Sequence, residues 1–214
     1  MIITPAAHAD TLNLYAAGSL KAALTDVARA FEAETPGKHS VNTVFAASGL
    51  LRGRIEKGEP AHVFASANMK HPQTLAEAGR AATNVRMFAR NQLCAIAQEG
   101  ISVSPETLLD VMLDEKVRVG TSTPKADPSG DYAFALFGKA DAIKAGAKTI
   151  LEAKALKLTG GPATAKAPEG RNQYGWVMSE NKADVFLTYC TNAVLAKKDT
   201  PSLQIVSIPG GLSV

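Results

Sequence analysis

Residues 12–24, Leu-Asn-Leu-Tyr-Ala-Ala-Gly-Ser-Leu-Lys-Ala-Ala-Leu, constrain the fold more than any other stretch. A short apolar run, a turn of small residues and a helical repeat follow one another there without a linker. Leu12, Leu14 and Tyr15 predict a buried strand, and Ala16, Ala17 and Gly18 permit close backbone approach. Leu20, Leu24, Val27 and Phe31 recur at spacings of three and four, one face of a helix, with Ser19 at the N-cap position. A helix start presents unpaired N–H groups and a partial positive charge, so such a junction can seat an anion. A serine there can equally do no more than cap the helix.

The same sequence of parts returns twice. Residues 40–45 alternate as a strand, and Ala46-Ala-Ser-Gly49 leads into a short amphipathic helix stopped by Gly58 and Pro60. After a strand at residues 117–121, the polar loop 122–128 leads to Ser129-Gly130 and a helix bearing Tyr132, Phe134 and Phe137. Further strands are predicted at 61–66, 92–97, 184–189 and 204–208, and helices at 72–79, 105–113, 140–156 and from Arg171. Strands and helices alternate throughout, which predicts an α/β fold of sheets flanked by helices. In such layers the carboxyl ends of parallel strands share one edge, and ligands bind there. Ser19, Ser48 and Ser129, with Tyr189 at a strand end, are therefore candidates for one donor-lined site. Donors without an acceptor suit a fully ionised oxyanion, because a protonated oxygen finds no partner among them.

Several function classes are excluded on inventory. The 214 residues carry a net charge of +3, with Lys and Arg spread along the chain, which argues against a nucleic-acid partner. No run of eighteen apolar residues occurs, so no membrane-spanning helix is expected. Ala46-Ala-Ser-Gly-Leu50 has the outline of a nucleophile elbow but lacks the glycine two before Ser48, and no histidine follows His71. His39, His62 and His71 lie on different predicted elements and suggest neither a triad nor a metal site. No nucleotide-binding glycine motif occurs. No enzyme activity and no cofactor are expected. Pro5-Ala-Ala-His-Ala9 ends in a signal-peptidase pattern, so residues 1–9 read as the remnant of an export signal or as an Ala/Pro tail. Export would bring an oxidising compartment, in which pairing of Cys94 with Cys190 is open.

Four motifs carry a resemblance to a known family. Tyr15-Ala-Ala-Gly-Ser-Leu20 is similar to F-A-A-A-S-L, and Phe45-Ala-Ala-Ser-Gly-Leu50 resembles F-A-S-S-S-x-L. Gly58-Glu-Pro-Ala-His-Val-Phe-Ala-Ser-Ala67 resembles the signature G-A-P-A-D-[LV]-F-x-S-A, and Pro128-Ser-Gly-Asp-Tyr-Ala133 stands where P-A-G-x-Y-A is usual. Over residues 12–212 the chain thus resembles the periplasmic molybdate-binding proteins of molybdate ABC importers.

The resemblance implies a two-lobed type II periplasmic binding protein fold, with mixed sheets flanked by helices and a ligand cleft between the lobes. It implies a periplasmic, monomeric protein that binds molybdate or tungstate and delivers it to an ABC permease in the inner membrane. Molybdenum or tungsten enters as the oxyanion, with no direct protein ligand to the metal. Ser19 and Ser48 would donate hydroxyl and backbone N–H groups from one lobe. Ser129 and Gly170 would donate backbone N–H groups from the other, and Tyr189 its hydroxyl. Around Gly170-Arg171-Asn172 the usual Val is missing, and Arg171 introduces a charge that would serve an organic anion instead. His62 replaces an aspartate, and Asn68 stands where an acidic residue is common. Residues 10–90 plus 205–214 are assigned to lobe 1, which lacks the family's C-terminal elements and is expected to be less stable for it; residues 91–204 are assigned to lobe 2.

Overall fold

A computed structural model describes residues 10–214; the predicted export remnant, residues 1–9, lies outside the described residues. The chain divides between Met87 and Phe88 into two units.

The first unit is a three-stranded parallel sheet of β1 (Asp10–Ala17), β2 (His39–Ala46) and β3 (Val63–Ala65), in the order β2-β1-β3. Parallel neighbours need a crossover, and the sequence supplies helices for both. α1 (Lys21–Glu34) joins β1 to β2, α2 (Ser48–Glu56) joins β2 to β3, and α3 (Lys70–Glu77) follows β3. Tyr15, Ala16 and Ala17 of the central strand are buried, and Tyr15 packs with Leu51, Ile55 and Leu75. The inward face of α1 differs from the predicted one. Leu24, Ala28 and Phe31 turn inward, while Val27 is 58% exposed.

The second unit holds a mixed sheet in the order β6-β5-β7-β4-β8. Its strands are β4 (Leu93–Ala97), β5 (Val119–Ser122), β6 (Leu156–Thr159), β7 (Val185–Tyr189) and β8 (Gln204–Ser207). Its helices are α4 (Leu108–Leu113), α5 (Pro128–Ile143), α6 (Ala147–Lys154), α7 (Gln173–Ser179) and α8 (Cys190–Asp199). β5 runs parallel to β6 and β7, whereas β4 is antiparallel to β7 and β8. One core cluster is formed by β4 and β7 with the inner faces of α7 and α8, including Ile96, Phe186, Met178 and Ala193. Gly120 of β5 is required for this packing, since a Cβ there would stand 2.5 Å from the Phe186 ring. Cys94 and Cys190 form a disulfide that ties β4 to the start of α8.

Three expectations are corrected. Residues 204–207 pair with β4, and the turn at Gly210–Leu212 packs against α5 with Leu212 buried. The segment 205–214 therefore belongs to the second unit and not to the first. The continuous helix predicted at 140–156 breaks after Ile143, and Gly146 at φ +84° precedes α6. Its last residue opens β6 instead, a four-residue edge strand too short for alternation to reveal. Among the described residues no helix is long and apolar enough to cross a membrane.

Candidate functional site

The parallel register of the first unit sets its serines on one edge. Ala17 pairs with Ala46, and a serine follows each two residues later, Ser19 and Ser48. Ala16 pairs with Ala65, which places Ser66 beside Ala17 on the same carboxyl edge. The three hydroxyl-bearing residues thus share the side on which parallel strands present ligand sites.

Neither Ser19 nor Ser48 is an N-cap. Ser19 lies inside the 3-10 turn Gly18–Leu20, and Ser48 is the first residue of α2 behind Ala47, which caps with no side-chain bond. The reason is the extended conformation at Ala17 and Ala47, ψ 143° and 136°, which starts each turn one residue earlier than the hydroxyl pattern suggests. The two serines are also unlike each other. Ser48 is fully buried and its Oγ accepts the Ala67 N–H at 3.1 Å, holding the loop after β3. Ser19 Oγ is buried with no hydrogen-bond partner.

Residues that depart from the family signature act locally. His62 Nδ1 accepts the Asn13 N–H at 2.9 Å, joining β1 to the residue before β3. Asn68 Oδ1 accepts the His71 N–H at 3.3 Å within the first turn of α3. Glu59 accepts from the Tyr15 hydroxyl at 2.7 Å and pairs with Arg54 at 2.6 Å. These bonds hold its carboxyl down at about 2, with the Arg54 bond the largest cause.

In the second unit the sequence reading of Ser129 is corrected. The N-cap of α5 is Asp127, Pro128 takes the first helical position, and Ser129 comes second. Asp127 Oδ1 accepts both the Ser129 N–H at 3.0 Å and the Ser129 hydroxyl at 3.1 Å. The backbone donor expected to face a ligand is thus already held by a carboxylate, and the half-site is not composed of donors alone. Asp-Pro at a helix start is a legible capping signal, and it is the signal that the serine pattern obscured.

Around Asp127 lies a row of buried hydroxyls. Ser122 pairs with Thr159, and the pairing of Thr121 with Leu187 sets Ser122 beside Thr188. Ser122 Oγ lies 2.8 Å from Thr159 Oγ1, accepts from Ser129 Oγ at 2.8 Å, and lies 3.4 Å from the Tyr174 hydroxyl. Asn192 donates to Thr188 Oγ1 at 3.0 Å. Ser129 has a single hydroxyl proton, so it serves Asp127 or Ser122 but not both at once. Gly160, at φ +74°, closes the cluster on another side: a Cβ there would stand 2.5 Å from Asp127 Oδ2.

The electrostatics follow from enclosure. Burial pushes the Asp127 carboxyl up against the opposing pull of the Ser129 N–H and the hydroxyls. Burial also raises Tyr189 and Tyr174, and the Asp127 charge adds to each, so both phenols stay un-ionised. Tyr189 meets Tyr132 edge-on, with ring centroids 6.2 Å apart. Ser129, Tyr189 and the unforeseen Asp127 therefore share one neighbourhood.

Arg171 is not brought to it. Its guanidinium lies 3.0 Å from Asp199 and donates to Ser179 Oγ at 3.1 Å, while the Asn172 N–H also reaches Asp199 at 3.1 Å. Asp199 ends α8, and Tyr189 immediately precedes that helix, about 15 Å from Asp199 along its axis. Gly170, exposed at φ +79°, precedes this anchored arginine, and α7 is capped by Asn172. Among the described residues no cluster of His, Cys, Asp and Glu is arranged to hold a metal ion.

The profile of the bacterial extracellular solute-binding protein family matches residues 12–214. Protein PM1146 of Pasteurella multocida is 37% identical over 182 residues, covering 85% of this chain and 74% of that protein. The molybdate-binding protein ModA of Mycobacterium bovis is 35% identical over 96 residues, 45% of this chain and 36% of its own length. The periplasmic molybdate-binding protein of Azotobacter vinelandii shares the fold at a TM-score of 0.68 and 19% identity, over 94% of this chain and 80% of that one. The family comprises solute-binding transport proteins rather than enzymes. With two α/β units whose strand ends gather hydroxyls and helix starts, this chain belongs to the bacterial extracellular solute-binding protein family.

Proposed function

We propose that this protein binds molybdate or tungstate in the periplasm, as a monomer, and presents it to the permease of an ABC importer. One observation carries the reading: Ser19 and Ser48 stand at equal offsets beyond the paired Ala17 and Ala46, and Ser19 Oγ is buried with its hydrogen-bonding capacity unspent. A buried hydroxyl without a partner costs stability, and an anion oxygen is the partner that would recover it. The match to a molybdate-binding protein over 96 residues supports the same anion.

The proposed chemistry is neutral donation from the first unit. Ser19 and Ser48, with the N–H groups opening the 3-10 turn and α2, bind the oxygens of a tetrahedral dianion. Tyr189 provides the second grip on closure, next to Ser129, whose N–H and hydroxyl are engaged by Asp127. Gly170 remains a proposed backbone donor of that grip. Cavity size then separates molybdate and tungstate from the smaller sulfate, which has the same charge. An organic anion held by Arg171 is disfavoured, because that guanidinium is engaged with Asp199.

Titration calorimetry with molybdate, tungstate, sulfate and phosphate tests the reading. Molybdate and tungstate are expected to bind roughly 100-fold more tightly than sulfate or phosphate, about 2.7 kcal/mol of discrimination. Absence of heat with all four anions overturns it.

A further inference from the structure

We propose that Asp127 couples anion binding to proton uptake: the protein takes a fully ionised oxyanion together with one proton, which resides on the Asp127 carboxyl. The proposal rests on the oxyanion reading above and adds a specificity-determining residue to it.

Asp127 stands where the loop after β5 meets α5. It caps α5, and its Oδ1 takes both the backbone N–H and the hydroxyl of Ser129. The favourable electrostatics of this helix start are therefore already satisfied by an internal negative charge. A capping aspartate on an open surface is stabilised as the anion and needs no further function. This one is enclosed. Gly160 is packed flush against Oδ2, and the Ser122–Thr159 hydroxyl row lies beneath Ser129.

The groups that face it supply no counter-charge. From α5 these are Ser129 and Asp131; from β5, Ser122; from the end of β6, Gly160; from α7, Tyr174; and from β7, Tyr189, with Tyr132, Thr159 and Thr188 behind them on the tyrosines and Ser122. Asp131 carries the same charge, and Tyr174 and Tyr189 are neutral. Among the described residues no lysine, arginine or histidine forms a hydrogen bond or ion pair with Asp127. Burial already favours its neutral form.

A dianion arriving beside the Ser129–Tyr189 edge places two like charges in one enclosed neighbourhood, which disfavours ionisation of the weaker acid. One proton from solvent resolves the conflict. The carboxylate becomes a carboxylic acid, with Oδ1 still accepting from Ser129 and the proton on the other oxygen, which removes the like charge that opposes the anion. No bond to the anion forms or breaks, and no electron moves. The proton count is one per anion bound.

Calorimetry with sodium molybdate at about pH 6 and about pH 8, in buffers of differing ionisation enthalpy, reads both affinity and proton count. Molybdate remains the dianion across this range. The wild type is expected to take up about one proton per anion and to weaken about tenfold per pH unit above the pKa of free Asp127. Asp127→Asn keeps a capping oxygen, and it is expected to bind independently of pH and more tightly than wild type at about pH 8. pH-independent wild-type binding without proton uptake overturns the coupling and leaves the oxyanion function standing. A variant that retains the wild-type pH slope also overturns it. No heat from either protein at either pH overturns the function and the coupling with it. The wild-type proton count stands by itself if the variant fails to fold.

Discussion

The hydroxyl of Ser48 accepts the Ala67 N–H at 3.1 Å, whereas the hydroxyl of Ser19, at the matching place beyond the neighbouring strand, is buried with no partner. The two serines are equivalent in register and inequivalent in what they do for the fold. Ser48→Ala should lower stability by about 1–2 kcal/mol, by removing an acceptor from a buried loop contact, and should also weaken molybdate binding. Ser19→Ala should leave the melting temperature at or above that of wild type while weakening binding about 10- to 100-fold. Thermal melts paired with calorimetry separate the two effects, and equal destabilisation by both variants would refute the distinction.

Arg171 gives the opposite pattern. Its guanidinium and the Asn172 N–H converge on Asp199, joining the loop before α7 to the end of α8. Arg171→Ala should lower the melting temperature while leaving molybdate affinity within about twofold, a negligible free-energy change. A loss of affinity with an unchanged melt would restore Arg171 as a ligand residue.

The disulfide bears on the site through chain connectivity. Cys190 directly follows Tyr189 and is bonded to Cys94, 96 residues earlier. Replacing both cysteines with alanine should cost about 2–4 kcal/mol, and a reducing agent acting on wild type should reproduce the loss. Tyr189 loses its anchored neighbour, so molybdate affinity should fall as well. Melts and titrations with and without reductant check both parts, and unchanged affinity after verified reduction would separate the disulfide from the site.

Acid should act on the first unit through Glu59. Its carboxyl is held at about 2 against an ordinary 4.5, chiefly by Arg54 and then by Tyr15. A lowered folded-state pKa contributes stability that is present above the ordinary value and is lost as pH falls towards the folded one. The wild type should therefore lose stability between about pH 4.5 and about pH 2, and Glu59→Gln should start lower at neutral pH and lose less across that window. Melting curves across the acid range provide the test, and parallel acid limbs would exclude Glu59 as the source.

Much of the architecture was legible because it is written in local periodicity. The apolar run ending at Tyr15, the small residues at 16–18 and the recurrence of that junction near Ser48 specify parallel strands joined by helices, and the structure has them. Short and context-dependent elements were not legible. β6 has four residues at a sheet edge, and β8 joins the second unit only because β4 offers it an antiparallel partner. No local pattern encodes which sheet a strand completes.

The candidate site divides in the same way. Sequence alone determined which residue types follow the strands, since turn and helix starts are short-range features: Ser19, Ser48 and Ser129 stand in the opening turns of helical segments, and Tyr189 ends β7. Tertiary structure decided what each hydroxyl and charge is free to do. Packing left Ser19 Oγ without a partner, engaged Arg171 with Asp199, and enclosed the Asp127 carboxylate against Ser129 and Gly160. Hydrogen-bond partnership and desolvation depend on residues distant in the chain, and only the folded arrangement brings those together.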